Sequence, residues 1–427
     1  MVAVLTGAVL AMPVAVIEQP SASAVAAPYV PCPAATPPVA PPRAPTAPPA
    51  GPAHRVVGGE ALATTGLAIP PGVRMPPKVT ATAWLVADLA SGAVLGACAP
   101  HERRTPASVQ KLLLAATMLP RLEPSRVIEV VREDMDFEPG SSAVGLVPGG
   151  RYTVESLWLA LLLRSGNDAA NVLARVGGGT GDMRGGVEAM NAEARRLGAY
   201  QTHAVTPSGL DGPGQFTSAY DLALIARVCF ARDDFRRYVA TRVAQIGDRP
   251  GSGFQITNDN GLLGRYPGML GGKTGFTDLA RQTYVGVAER GGRRLAVTLL
   301  GAETAPLGSL GEASALLDWG FAMPRDAAVG HLVTPEEVAP TPDAEAPAPS
   351  AVRAAGRRLT ASSVAVAGLL VGVAVLALFV VTALRRRIGR WRRRTGAGHD
   401  RQMSPQLGPE CARVQQQIAG YVDLRGT

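Results

Sequence analysis

Lysine is nearly absent from this chain. Of the 42 basic residues among 427, only Lys78, Lys111 and Lys273 are lysines, and the other 39 are Arg. Arg stays protonated in proteins, whereas the Lys amine gives up its proton when buried or crowded by a second cation. A lysine kept in so Arg-biased a chain is therefore a candidate for a place where an amine serves and a guanidinium does not. Histidine is scarce as well, at 5 residues, and the 4 cysteines (Cys32, Cys98, Cys229 and Cys411) show no C-x-x-C spacing. That pattern offers neither a zinc site nor a disulfide framework. A basic domain is also missing, despite a formal net charge of +8. Residues 385–427 carry 10 Arg against Asp400, Glu410 and Asp423, a net of +7, so the rest of the chain is close to neutral. No surface is left to track phosphates, and nucleic acid is not an expected partner.

Apolar residues are plentiful, at 47%, beside 49 Gly and 36 Pro. The chain can bury a domain-sized core and still supply linkers. Residues 363–384 (SVAVAGLLVGVAVLALFVVTAL) are uncharged, and Arg385, Arg386, Arg387, Arg390, Arg392, Arg393 and Arg394 follow at once. At about 1.5 Å per residue this run reaches roughly 33 Å, enough to cross a bilayer core of about 30 Å. One-sided Arg predicts a single transmembrane helix with a cytoplasmic tail, residues 385–427, and the larger N-terminal part outside the cytoplasm at the cell membrane. Residues 1–24 combine an apolar run with an Ala22-Ser23-Ala24 cleavage pattern, a signal peptide without the usual positive start. Between residues 28 and 77 stand 15 Pro. Residues 25–77 are thus expected to be a stiff, extended linker, and residues 325–362 a second Pro-rich one. One domain, residues 78–324, lies between them.

Within it, residues 82–88 (TAWLVAD) and 93–97 (AVLGA) around Ser91-Gly92 read as a hairpin, and residues 283–288 and 294–300 around Arg290-Gly291-Gly292 as another. Residues 109–119, 154–176, 187–197, 219–229 and 310–321 have helical apolar spacing. Strands at both ends with helices between predict an α+β fold, an antiparallel sheet covered by helices with an inserted helical region.

Three patterns in this domain carry chemistry. Ser108-Val109-Gln110-Lys111 follows Pro106 and opens a helical stretch. The i to i+3 spacing puts hydroxyl and amine on one face, where a neutral Lys can take the Ser proton. Ser165-Gly166-Asn167 interrupts a long helical pattern, with Gly letting the chain leave helical geometry and aim two polar side chains into a cleft. Lys273-Thr274-Gly275, after Gly271-Gly272, precedes the closing hairpin. On an edge strand, Lys and Thr can bind a carboxylate, and Gly allows close backbone approach. A second cation near Lys111 would also lower its pKa. Lys78, at the end of the linker, is expected to be solvated.

This ordered set resembles the serine penicillin-recognising enzymes. Pro106-Ala107-Ser108, Asn258-Asp259-Asn260-Gly261, Gly272-Lys273-Thr274-Gly275-Phe276-Thr277 and Leu317-Asp318-Trp319-Gly320 narrow the resemblance to the D-alanyl-D-alanine carboxypeptidases, the low-molecular-mass penicillin-binding proteins. The resemblance spans residues 78–324 and implies a β-lactamase/transpeptidase-like fold. It implies catalytic roles for Ser108 as nucleophile, Lys111 as base and Ser165 as proton relay to the departing D-alanine. Asn167 would bind the substrate amide, Lys273, Thr274 and Gly275 the terminal carboxylate, and the backbone N–H groups of Ser108 and Phe276 the oxyanion. The substrates would be peptidoglycan stem peptides and the inhibitors β-lactams, with no metal or other cofactor. Asp259 stands where some relatives carry a carboxylate-binding Arg, for which Arg265 or Arg281 could substitute. The same site could serve a DD-endopeptidase or a β-lactamase, although no deacylation base for the latter can be named. A catalytically weak cell-wall-binding protein is the remaining alternative.

Overall fold

A computed structural model describes residues 29–46, 55–247 and 253–339. Along the chain these form β1 (Leu67–Ala68), β2 (Ala83–Asp88), β3 (Ala93–Cys98), α1 (Lys111–Met118), β4 (Val127–Glu129), β5 (Arg151–Thr153), α2 (Val154–Arg164) and α3 (Asn167–Gly177). Then come α4 (Met183–Arg196), α5 (Ala219–Ala231), α6 (Asp233–Ala240), β6 (Val243–Ile246), β7 (Phe254–Thr257) and β8 (Met269–Thr277). The last are β9 (Arg281–Arg290), β10 (Arg293–Ala302), α7 (Gly308–Phe321), β11 (Gly330–His331) and α8 (Pro335–Val338).

The two expected hairpins form, and they join each other. The main sheet runs β1-β3-β2-β10-β9-β8, with β11 also on β3, and β10 pairs antiparallel with β2 from Leu295↔Asp88 to Leu300↔Ala83. Side chains alternate across the sheet, so Leu295 and Thr298 on β10 face opposite ways. Gly320 of α7 lies against Leu295 and Val86, while the Thr298 hydroxyl donates to the Ala219 carbonyl of α5. One helix therefore covers each face. Strands buried on both sides read as continuous apolar runs instead of alternating ones, as TAWLVAD and RLAVTLL do. β8 forms the free edge, where the Lys-Thr-Gly pattern was expected. Helices α3 and α4 pack on α1, and α2 packs on α3, while the small two-stranded sheets β4–β5 and β6–β7, with α6, are additions the apolar pattern did not signal.

Both domain boundaries move outward. The described part of residues 25–77, expected to be a spacer, packs on the domain: Leu62 is fully buried, and β1 pairs with β3 through Leu67↔Cys98. Ala35 N–H donates to the Val79 carbonyl and Val79 N–H to that of Pro33, so a Pro-rich strand is held through the donors and acceptors Pro leaves intact. Cys32 and Cys98, read as unrelated, form a disulfide across 66 residues. Spacing along the chain could not reveal it, because a disulfide requires only that two Cβ atoms meet in space. Closing a loop of this length removes entropy from the unfolded chain worth about 4 kcal/mol in the chain-entropy account. At the other end, residues 325–339 also belong to the domain, with Gly330↔Val94 paired and the Tyr220 hydroxyl donating to the His331 carbonyl.

The signal peptide at residues 1–24, the transmembrane helix at 363–384 and the Arg-rich tail lie outside the described residues, as does all of a second unit, Pro342–Thr427. Among the described residues no helix is long and apolar enough to cross a membrane.

Candidate active site

Ser108 sits in a 3-10 turn, Ala107–Gln110, that runs directly into α1. The turn is pinned to the sheet, since Thr283 of β9 donates its hydroxyl proton to the Pro106 carbonyl at 2.9 Å. Ala107 takes φ 49°, a left-handed conformation that a non-glycine residue adopts only when its surroundings impose it. Lys111, the first residue of α1, is completely buried. Its Nζ lies 2.8 Å from each of three atoms, the Ser108 Oγ, the Asn167 Oδ1 and the Ser208 carbonyl oxygen. Two of these can only accept. A neutral amine has two protons for them and one lone pair for the third, which is the hydroxyl. Burial holds Lys111 well below the usual lysine range, the nearby Lys273 pushes it further down, and Asp168 opposes both. The unprotonated form that can take the Ser108 proton is therefore favoured.

The long helical pattern breaks at Ser165, between α2 and α3. Ser165 itself takes the left-handed conformation, φ 61°, whereas Gly166 has φ −54°. This corrects the expectation that Gly166 makes the bend. Gly166 is needed for another reason: a Cβ there would lie 2.6 Å from the Asp168 Oδ1 and 3.2 Å from Val144. The Ser165 Oγ is buried with no partner among the described residues, which leaves its hydroxyl free for a ligand. Asn167 is more committed than expected of an amide reader. Its Oδ1 accepts from Lys111 and its Nδ2 donates to the Ser141 Oγ at 3.0 Å.

Gly275 explains how β8 approaches the nucleophile. A Cβ there would stand 2.4 Å from the Thr283 Oγ1 and 2.8 Å from the Ser108 backbone nitrogen. Only Gly lets the strand lie against the turn. Ser108, Ser165, Asn167, Thr274, Gly275 and Phe276 line one open cavity of about 1040 Å³. Lys273 does not line it. Its side chain is buried, with Nζ donating to the Thr274 carbonyl at 2.8 Å, and its charge is felt by Lys111, while Thr274 is in the lining. Burial pushes Lys273 down to about 8, against the pull of Asp259. Asp259 also lines the cavity and pairs with Arg164. Neither Arg265 nor Arg281 is in the lining, and Arg281 is held by Glu303 through two bonds of 2.8 and 2.7 Å. The suggested replacement of a carboxylate-binding Arg by either residue is not what the geometry provides.

The profile of the D-alanyl-D-alanine carboxypeptidase family matches residues 72–304, more than half of the chain. The chain belongs to that family. A D-alanyl-D-alanine carboxypeptidase of Mycobacterium tuberculosis is 44% identical over 260 residues, 60% of this chain and 87% of that one. Another from Escherichia coli is 35% identical over 257 residues, covering 57% of this chain and 64% of its own length. Among solved structures, the Mycobacterium tuberculosis H37Rv carboxypeptidase superposes with a TM-score of 0.58 at 41% identity, covering 62% of this chain and 99% of that one. The Streptomyces K15 DD-transpeptidase gives 0.55 at 27% identity, covering 58% and 100%. The expected α+β penicillin-binding fold and carboxypeptidase activity are those of this family.

Three groups that organise the carboxypeptidase site, the Ser208 carbonyl, Asp168 and Ser141, were missed in the sequence. The Ser208 carbonyl reaches Lys111 from a loop and carries no side-chain signature. Asp168, fully buried, accepts from the backbone N–H groups of Val144, Gly145, Leu146 and Ala169. It thereby fixes the loop that holds Ser141 beside Asn167, and its only signal was its place directly after Ser165-Gly166-Asn167.

Proposed function

We propose that this carboxypeptidase removes the terminal D-alanine of peptidoglycan stem peptides through an acyl-enzyme on Ser108. The observation that carries the reading is the buried Lys111 amine, 2.8 Å from the Ser108 Oγ and from two carbonyl oxygens that can only accept, so that in its neutral form the lone pair is left for Ser108. Ser108 Oγ attacks the carbonyl carbon between the two terminal D-alanines as its proton passes to Lys111 Nζ. Backbone N–H groups of Ser108 and Phe276 hold the oxyanion. The C–N bond then breaks, and the Ser165 hydroxyl relays the proton from Lys111 to the departing amine. Water hydrolyses the ester, restoring Ser108. Thr274 contacts the terminal carboxylate, and the charge of Lys273 supports it. A β-lactam amide would be opened by the same attack. The names of the relatives support the substrate class.

The test is mass spectrometry of the full chain after incubation with labelled penicillin. A covalent adduct on Ser108 is expected, absent in Ser108→Ala. No adduct on the unmodified chain would leave the weak wall-binding alternative in its place.

The pH profile gives a second check. Lys273 has its pKa lowered to about 8, so its positive charge is present below that pH and is lost as pH rises through it. With a D-Ala-D-Ala-terminated peptide, kcat/KM is expected to fall above about pH 8. In the complex the substrate carboxylate favours the ammonium, so kcat should hold to higher pH. A kcat/KM flat to pH 9.5 would remove Lys273 from carboxylate binding.

The same reading places the catalytic domain outside the cytoplasm, anchored through residues 363–384. The Cys32–Cys98 disulfide supports it, because such bonds persist in oxidising compartments.

A further inference from the structure

The Lys111 amine serves as a base only if the Asn167 side chain presents oxygen to it, not nitrogen. An amide can flip, and nothing on Asn167 itself selects the orientation. The neighbour that selects it is Ser141. The Ser141 Oγ lies 2.6 Å from the Glu138 carbonyl oxygen, to which it donates its only proton. Toward Asn167 it can therefore only accept, which draws the Nδ2 to it at 3.0 Å and turns the Oδ1 toward Lys111.

We infer that Ser141 is a positioning residue of the carboxypeptidase reaction, fixing the Asn167 amide so that the Lys111 lone pair is left facing Ser108. This deepens the acyl-enzyme reading and rests on it. With the amide reversed, an N–H would point at the amine. The lone pair would be occupied by that donor, and the second amine proton would lose its acceptor. Four further groups surround the amine. The charged ones are Lys273 from β8 and Asp168 from α3, and the polar ones are Ser108 from the turn and the Ser208 carbonyl from its loop. None of them touches the far end of the Asn167 amide, so none can take over the selection. Ser141 lies at the cavity wall, on the loop anchored by Asp168.

The experiment compares the full chain with Ser141→Ala and Ser141→Thr, following the rate of acylation by labelled penicillin against pH. In Ser141→Ala the plateau rate should fall on the order of tenfold, the cost expected when a proton acceptor is misaligned. Saturation by penicillin should occur at an unchanged concentration. An amide N–H in place of an oxygen disfavours the ammonium, so the acid limb should also move to lower pH. Mere loosening of the site would admit water, relieve the burial of Lys111 and move that limb upward. Ser141→Thr keeps the hydroxyl and should restore both rate and profile. An unchanged Ser141→Ala rate, an acid limb displaced upward, or a folded Ser141→Thr variant that fails to recover would each overturn the inference. Absence of any adduct on the unmodified chain would instead strike the acyl-enzyme reading itself.

Discussion

Replacing Lys111 by Arg is expected to reduce penicillin acylation by at least about 10³-fold, the upper part of the range for loss of a positioned base. The substitution keeps a positive charge and hydrogen-bond donors, so it isolates one property, the ability to exist unprotonated. A guanidinium has no available lone pair at any working pH. The site also has no room for a permanent charge: Lys111 is fully buried and Lys273 lies close enough to push its pKa down. Asp168 offsets this only in part, and its oxygens are already taken by four backbone N–H groups. The measurement is adduct formation against time, with thermal unfolding as the control for folding. Lys78→Arg supplies the comparison, since Lys78 is exposed and should acylate at the unmodified rate. Lys111→Arg acylating within tenfold of the unmodified chain would remove Lys111 from the role of base.

The second large effect is expected from Gly209→Ala, a position no motif marks. Gly209 has φ +90°, and a Cβ there would lie 1.9 Å from the Ala107 carbonyl oxygen and 2.8 Å from the Gln110 Cβ. Neither contact can be relieved by swinging a flexible side chain, so the loop or the nucleophile turn has to move. Movement on one side displaces the Ser208 carbonyl, which holds a Lys111 proton, and on the other it displaces Ser108. A shift near 1 Å at a reacting group costs about 10²-fold, so kcat for a D-Ala-D-Ala-terminated peptide should fall by that order. The left-handed backbone adds a folding cost of about 1 kcal/mol or more. Thermal unfolding with and without penicillin would separate this from the catalytic loss. A kcat within twofold of the unmodified value would show that the loop does not set the base.

Much of the site was legible because its key spacings are local. Ser108 and Lys111 meet through the geometry of one turn, and Lys273, Thr274 and Gly275 share one strand. The two hairpins were legible for a related reason: each is a pair of short apolar runs with turn residues between them. The bend at Ser165 was visible as an interruption, but which residue takes the positive φ was not, since Gly166 is the conventional choice and the tight approach of Val144 and Asp168 claims it instead. The Pro-rich segment misled because composition reports the difficulty of building a core alone. It does not report whether a segment can borrow one, as Leu62 and Leu67 do.

The sequence by itself therefore determined the reaction class, through two lysines in 42 basic residues placed where an amine is required. Lys111 and Lys273 are both buried, with Lys111 held well below the usual lysine range and Lys273 lowered to about 8. Tertiary structure alone decided what makes that chemistry possible. It chose the Ser208 carbonyl, 97 residues from Lys111, and the Asn167 amide, 56 residues away, as acceptors for the amine protons. It also joined Cys32 to Cys98 and buried the Lys273 amine against the Thr274 carbonyl. Contacts across such separations depend on how helices and strands pack, and no local pattern of residues encodes that packing.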